Sequence, residues 1–223
     1  MKKINIAIDG PAGAGKSTIA RALAKDRNMV YVDTGAMYRA IGLYCSRKGI
    51  AGDDAATIEK ELNSIQVSLA YENGEQVVYL NGENVNGAIR TAEAGVMASA
   101  VSVHAKVRSK MVDLQKALAE TTSVVMDGRD IGTVVLPNAE VKIYLTASSA
   151  VRAKRRFDEL VAKGMECDLA QLQKEIEERD YRDMHREVSP LKKAEDAVEL
   201  DTSDMTIEEV VEAMQRIITE KIG

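Results

Sequence analysis

Residues Gly10–Ser17 read GPAGAGKS, which matches the pattern G-x-x-x-x-G-K-[ST]. Gly10, Gly13 and Gly15 let the backbone turn tightly, with its N–H groups pointing inward at phosphate oxygens. A helix beginning near Lys16 would bring the positive end of its dipole to the same anion. The Lys16 ammonium reaches β- and γ-phosphates, the Ser17 hydroxyl is a ligand for Mg2+, and Thr18 lies in reach of another phosphate. The stretch Gly10, Pro11, Ala12, Gly13, Ala14, Gly15, Lys16, Ser17 and Thr18 is therefore a candidate nucleotide-phosphate cradle. Such a loop needs a carboxylate at the end of a neighbouring strand to hold the metal through water. Asp127, which closes the apolar run Ser123–Met126, is the candidate, making Ser17 and Asp127 the expected metal pair. Asp9 and Asp33 also close apolar runs, and Asp9 fits a turn-former as well as a functional carboxylate.

Beyond the loop, arginines recur in three places. Arg39 lies in VDTGAMYRA, Arg129 in DGRDIGT, and Arg179, Arg182 and Arg186 in ERDYRDMHR. Bringing two polyanions together for phosphoryl transfer needs fixed bidentate donors to neutralise both and the group in flight. The arginine count favours a second phosphate-bearing substrate over water. The Asn-Lys-x-Asp of guanine switch proteins is absent, and so is the Ser-Gly-Gly signature of transporter ATPases.

These groups must be held by a scaffold, and the apolar runs indicate which. Ile4–Ile8, Met29–Val32, Ser123–Met126, Val141–Leu145 and Val198–Leu200 are short, rich in β-branched residues and closed by polar or glycine turns. They show little polar alternation, so they read as strands buried on both faces. Helical patterns fall between them at Lys16–Asp26, Ala36–Arg47, Thr91–Leu118, Ala150–Lys163, Leu169–Arg182 and Ile207–Lys221. In the last, Thr206 and Glu209 are spaced as a capping box. Alternating strands and helices imply βαβ units and a mainly parallel sheet. The segment 64–88 breaks the rule: strand-like alternation is interrupted by Asn73-Gly74 and Asn81-Gly82, two hairpin signals that predict a small antiparallel meander.

The 223 residues suffice for one large domain or for one carrying an insertion. With 45% hydrophobic and 29% charged residues the chain is not expected to be disordered. The charge, −5 from 30 basic and 35 acidic side chains, lacks the field of a nucleic-acid coat. Two cysteines, Cys45 and Cys167, exclude a disulfide scaffold and a Cys-rich zinc module, and free thiols fit a reducing compartment. Cys45 reads as a small core residue and Cys167 as a thiol near a helix start. The two histidines, His104 and His185, read as partly exposed polar positions. The apolar run after Lys2 and Lys3 ends at Asp9, too early for an export signal, and no run approaches the ~18 residues that span a bilayer.

The stretches DGPAGAGKST, VDTGAMYRA, ASAVSVHAKVR, DGRDIGTVVLP, KIYLTAS, ERDYRDMHREVSPL and ELDTS closely resemble bacterial cytidylate kinase, over essentially the whole chain. The loop is shared by many families; the combination of DTGAMYR, GRDIGT and ERDxRDxxR is far more specific. The resemblance implies an α/β, three-layer P-loop NTPase fold with a five-stranded parallel sheet, a small inserted antiparallel β meander and a helical lid. It implies one kinase domain over 1–223, with core 1–63, 89–149 and 191–223, a monophosphate-binding insert at about 64–88 and a lid at about 150–190. ATP is the implied donor, CMP and dCMP the acceptors, and Mg2+ the metal.

By the same resemblance, Asp33 and Thr34 face the CMP pocket, Thr34 standing where the family commonly has Ser. Arg39 clamps the CMP phosphate. Ser99 and Arg108 read the cytosine ring, in a stretch where His104 and Ala105 replace a usual Phe-Pro pair. Arg129 binds the CMP phosphate or the transferring group, Asp130 the base or sugar edge, Arg179 and Arg186 phosphates, and Asp183 the sugar hydroxyls. Lys16, Arg129, Arg179 and Arg186 are the expected catalytic set. In the lid, Arg152, Arg155 and Arg156 fit a solvated helical face as well as an ATP contact, for which Arg155 is the candidate. The expected partners are small nucleotides only, with no nucleic acid and no membrane, for a cytoplasmic monomer. The rivals are a P-loop kinase with another acceptor (UMP, AMP or a small metabolite) and a nucleotide-dependent switch protein.

Overall fold

The computed structural model describes residues 3–72 and 74–222 and divides into two compact units. One comprises Met1–Val30 with Ser123–Gly223, the other Tyr31–Thr122.

The first unit is built on parallel strands. β1 (Asn5–Asp9) runs parallel to β6 (Val124–Gly128) on one side and to β7 (Val141–Thr146) on the other, and β8 (Val198–Asp201) continues from β7. β2 (Val30–Asp33) completes a five-stranded sheet in the order β2-β6-β1-β7-β8, its Val30 N–H donating to the Ser123 carbonyl at 3.0 Å. Burial on both faces holds for the central strands: Ile6, Ile8, Val124, Val125, Met126 and Leu145 are fully enclosed. It fails for β8, an edge strand whose residues alternate half-buried and exposed. Helices of this unit include α1 (Lys16–Asp26), with Ile19, Ala20, Leu23 and Ala24 buried, and the mutually packed α6 (Ser149–Ala162) and α7 (Leu169–His185). The C-terminal α8 (Ile207–Ile222) buries Val210, Met214 and Ile218 at helical spacing. Its N-terminus carries the anticipated box, with Glu209 N–H donating to Thr206 Oγ1 at 3.2 Å and Thr206 N–H to Glu209 Oε2 at 2.8 Å.

The second unit holds α2 (Thr34–Arg47), the short α3 (Ala55–Glu61), α4 (Ala92–Val101) and α5 (Ala105–Thr121), with an antiparallel sheet of β3 (Val67–Glu72), β4 (Glu75–Leu80) and β5 (Glu83–Asn84). The meander is therefore real. At its second turn Asn81 (φ 50°) and Gly82 (φ 84°) are both left-handed, the signature of a type I′ hairpin. At the first turn Gly74 has φ 80°, and Asn73 lies outside the described residues. Leu69, Val78 and Leu80 sit in the ladder, Val78 and Leu80 buried.

Three readings need correction. The helix expected over Thr91–Leu118 is two helices, interrupted at Ser102–His104. There the Ser102 hydroxyl bonds back to the Ser99 carbonyl at 3.0 Å and His104 turns extended to receive α5, its ring bonded to the Gly52 carbonyl at 2.7 Å. α2 begins two residues earlier than its apolar pattern suggests, because Asp33 caps it by accepting from Ala36 N–H at 2.8 Å. α3 has too few residues to show a period, and was missed. Among the described residues no helix is long and apolar enough to cross a membrane. Cys45 is buried in α2, where burial pushes its thiol pKa up, and Cys167 is half-buried; both thiols are free.

Candidate active site

In the first unit, β1 ends at Asp9 and the chain turns at once through Gly10–Gly15 into α1. Gly13 and Gly15 have φ of 77° and 85°, and Gly15 is the N-cap of α1 in the left-handed region, so both need glycine. Lys16 folds back over the loop and donates from Nζ to the Pro11 carbonyl at 2.7 Å. Ser17 and Thr18 are exposed at the helix start, and Ser17 Oγ donates to Asp127 Oδ2 at 2.9 Å. Asp127 itself is buried at the end of β6. The pair supplies two hard oxygens of the kind Mg2+ takes. Among the described residues no group of three or more His, Cys, Asp or Glu could hold a metal by itself.

Electrostatics here are strained by burial. Lys16 is only 5% exposed. Burial pulls its ammonium down to about 7, the Arg129 guanidinium acts in the same direction, Asp127 and Asp9 oppose, and Arg179 adds to the depression. Burial pushes the Asp9 carboxyl up to about 6, against two backbone bonds that favour its charged form. Those bonds come from Ile131 N–H at 2.8 Å and Gly132 N–H at 2.7 Å. They tie the single π-helical turn Ile131–Val135, which follows Arg129 and Asp130, to the end of β1. Asp9 is thus a buried carboxylate that organises a neighbouring turn.

Arg129 and Arg186 of this unit are flanked by carboxylates. Arg129 Nε donates to Asp183 Oδ2 at 2.9 Å. Arg186 lies 3.7 Å from Asp130 Oδ1 and 3.9 Å from Asp183 Oδ1, with its Nε on the Ser189 carbonyl at 2.6 Å. Burial alone would raise the Asp183 carboxyl, but the Arg129, Arg179 and Arg186 charges together hold it below the usual carboxylate range. Arg179 is half-buried on α7, close enough for its charge to be felt at both Lys16 and Asp183.

The arginines at the start of α6 divide three ways. Arg152 is buried at 4% exposure. Its Nη1 donates to the Ala12 carbonyl of the loop at 2.9 Å, its Nη2 to Asp180 Oδ2 at 2.6 Å, and its Nε to the Ala147 carbonyl at 2.8 Å. Arg155 donates to the Thr202 carbonyl at 2.6 Å, and Arg156 makes a surface ion pair with Glu159. The solvated-face reading suits Arg156 and fails for Arg152. Sequence reasoning weighs Arg152 with Arg155 and Arg156 and takes Arg155 as the candidate, because a charge-dense helix start gives no sign of which charge faces inward.

The second unit carries the other group of anticipated residues. Asp33 Oδ2 accepts from Arg39 Nη2 at 2.8 Å while its Oδ1 caps α2. A Cβ on Gly35 would lie 3.2 Å from Asp33 Oδ1 and 3.3 Å from Arg39 Nη1, which accounts for the glycine of DTGAMYR. Thr34 is buried beside them. On α5, Arg108 is 2% exposed, donates to the Ser102 carbonyl at 3.1 Å and lies 5.5 Å from the centre of the Tyr38 ring. Ser99, half-buried on α4, meets the same turn through its carbonyl.

A glycine-rich loop leaving the central strand of a five-stranded parallel sheet and entering a helix at a buried lysine defines a P-loop fold. The sequence profile described as cytidylate kinase matches residues 6–220. The cytidylate kinase of Geobacillus sp. (strain WCH70) is 51% identical over 220 residues, covering 99% of this chain and 98% of that one. The cytidylate kinase of Caldicellulosiruptor saccharolyticus is 50% identical over 223 residues, covering 100% and 99%. The chain belongs to the cytidylate kinase family and is a nucleotide-phosphorylating kinase. Among solved structures, an uncharacterised protein from Eubacterium ventriosum ATCC 27560 shares the fold, with a TM-score of 0.53 at 14% identity over 98% of this chain and 99% of that one.

Proposed function

We propose that the protein transfers the γ-phosphoryl group of ATP directly to CMP or dCMP, giving ADP and the diphosphate. The observation that carries this reading is the set of arginines, outside the loop, already aimed by carboxylates: Arg39 by Asp33, Arg129 by Asp183, and Arg186 beside Asp130 and Asp183. A hydrolase that activates only water has no use for so many.

The loop amides and Lys16 hold the donor's phosphates. Ser17 and Asp127 would hold Mg2+, which would supply screening of the negative charge on the donor's phosphates. Arg129, Arg179 and Arg186 stabilise negative charge on the transferring group, and Arg155 contacts the donor. Arg39 fixes the acceptor's phosphate, Asp130 and Asp183 its sugar and base edges, and Thr34, Ser99 and Arg108 its base. No covalent intermediate on the protein is required; positioning and fixed charge supply the rate. Helices α6 and α7 act as the lid that keeps water from the γ-phosphate.

Cytosine presents a 4-amino donor where uracil presents an oxygen. A hydroxyl or carboxylate acceptor left facing that oxygen costs about 1–3 kcal/mol, so CMP should exceed UMP in kcat/KM by about 5- to 150-fold. A coupled ADP-release assay with ATP, Mg2+ and CMP, dCMP, UMP or AMP tests this. Strong turnover with CMP and dCMP, weak with UMP and none with AMP is expected. Equal kcat/KM for CMP and UMP would remove the base-reading argument, and hydrolysis that no monophosphate stimulates would favour the switch-protein reading.

A further inference from the structure

The role of the inserted meander is visible in one side chain. Gln76, on β4, projects its amide onto the backbone of Asp33: Oε1 accepts from Asp33 N–H at 2.8 Å and Nε2 donates to the Asp33 carbonyl at 3.3 Å. One amide thus engages both polar groups of one residue, as a neighbouring strand would. The residue so gripped aims its carboxylate two ways, one oxygen to the Ala36 N–H and the other to Arg39 Nη2, each at 2.8 Å. Arg39 Nε is buried with no hydrogen-bond partner among the described residues, so this guanidinium keeps a donor in reserve.

Gln76 is itself held. Its carbonyl accepts from Asn86 Nδ2 at 3.2 Å, while Asn86 Oδ1 accepts from Val78 N–H at 2.9 Å. The ladder sets Gln76 opposite Tyr71, and the Asn81-Gly82 turn fixes the register of β4 against β5. A slip of one residue would send the Gln76 side chain to the other face of the sheet.

We propose that Gln76 is a positioning residue for the acceptor: by clamping the Asp33 backbone it sets the direction of the Asp33 carboxylate and, through it, the Arg39 guanidinium that receives the acceptor's phosphate. The insert then belongs to the acceptor site's machinery, beyond adding buried surface. This rests on the reading of Arg39 given above.

The test is a double-mutant cycle of Gln76→Ala and Arg39→Ala, with KM measured separately for CMP and ATP. Arg39→Ala should raise the KM for CMP by tenfold or more while that for ATP stays within about twofold. Gln76→Ala should raise the KM for CMP about fivefold, leave that for ATP unchanged, and have no further effect on CMP once Arg39 is absent. Gln76→Met, close in volume and unable to make either bond, should behave as Gln76→Ala and serves if the smaller residue impairs folding. An unchanged CMP KM in both Gln76 variants overturns the proposal, and so does an equal rise with and without Arg39. If Arg39→Ala leaves the CMP KM untouched, the reading of the acceptor site fails first, and the proposal with it.

Discussion

Lys16→Met should lower kcat about 10²–10³-fold, the loss seen when one preorganised donor to a developing anion is removed, while the protein stays folded. Methionine is similar in length and apolar, so it fits the enclosed position that the lysine occupies. The same variant should reveal what burying this cation does to stability. In the folded chain the ammonium is held down to about 7, chiefly by burial and then by Arg129, against 10.5 in a free side chain. Between those values the unfolded chain binds the extra proton, so on this residue's account stability rises with pH through that window. The parent should therefore gain on Lys16→Met by on the order of 2 kcal/mol between about pH 7 and pH 9, measured by urea denaturation. A parallel pH profile for the two proteins would contradict the buried-cation account. Unchanged turnover would refute the donor-site assignment.

The second large effect concerns space. Gly10 has φ 148°, and a Cβ there would lie 1.9 Å from the carbonyl oxygen of Leu145 and 3.0 Å from its carbon. Neither atom can move cheaply, since β7 is paired to both β1 and β8 at that level. Gly10→Ala should cost about 3 kcal/mol or more and lower the Tm by roughly 6–12 °C. Gly15→Ala is the matched comparison, with φ 85° but nothing within 4 Å of the added carbon. It carries only the torsional penalty of about 1–2 kcal/mol. Equal melting shifts for the two would mean that backbone torsion, and not the approach of β7, dictates glycine at position 10.

The comparison of sequence with structure follows the range of each signal. The phosphate loop, the central strands and the hairpin at Asn81-Gly82 are local patterns with one physical solution, and they appear where anticipated. β8 departs because hydrophobicity alone does not say whether a strand is central or at an edge. The break between α4 and α5 depends on the Ser102 hydroxyl and on the distant Gly52 carbonyl, which an apolar period cannot contain. The candidate residues Lys16, Ser17, Arg39, Asp127 and Arg129 are each carried by a local motif; the side chains that support them in the structure are not. Arg152 is one of three arginines within five positions, and only the fold distinguishes the one that reaches the Ala12 carbonyl. Gln76 is an ordinary polar strand residue until Asp33 is brought to it. Partners more than a few positions apart leave no imprint on spacing.

The division of labour along the chain has an evolutionary reading. Thr34, Arg39, Ser99 and Arg108 fall in the uninterrupted stretch Tyr31–Thr122, whereas the phosphate loop, Asp127, Asp130 and α7 come from the two pieces of chain on either side of it. A single recombination event spanning that stretch, or a cassette exchange in the laboratory, would replace those four residues together and leave Ser17 with Asp127 and Arg152 with Asp180. Four of the proposed acceptor contacts are thus inheritable as a block.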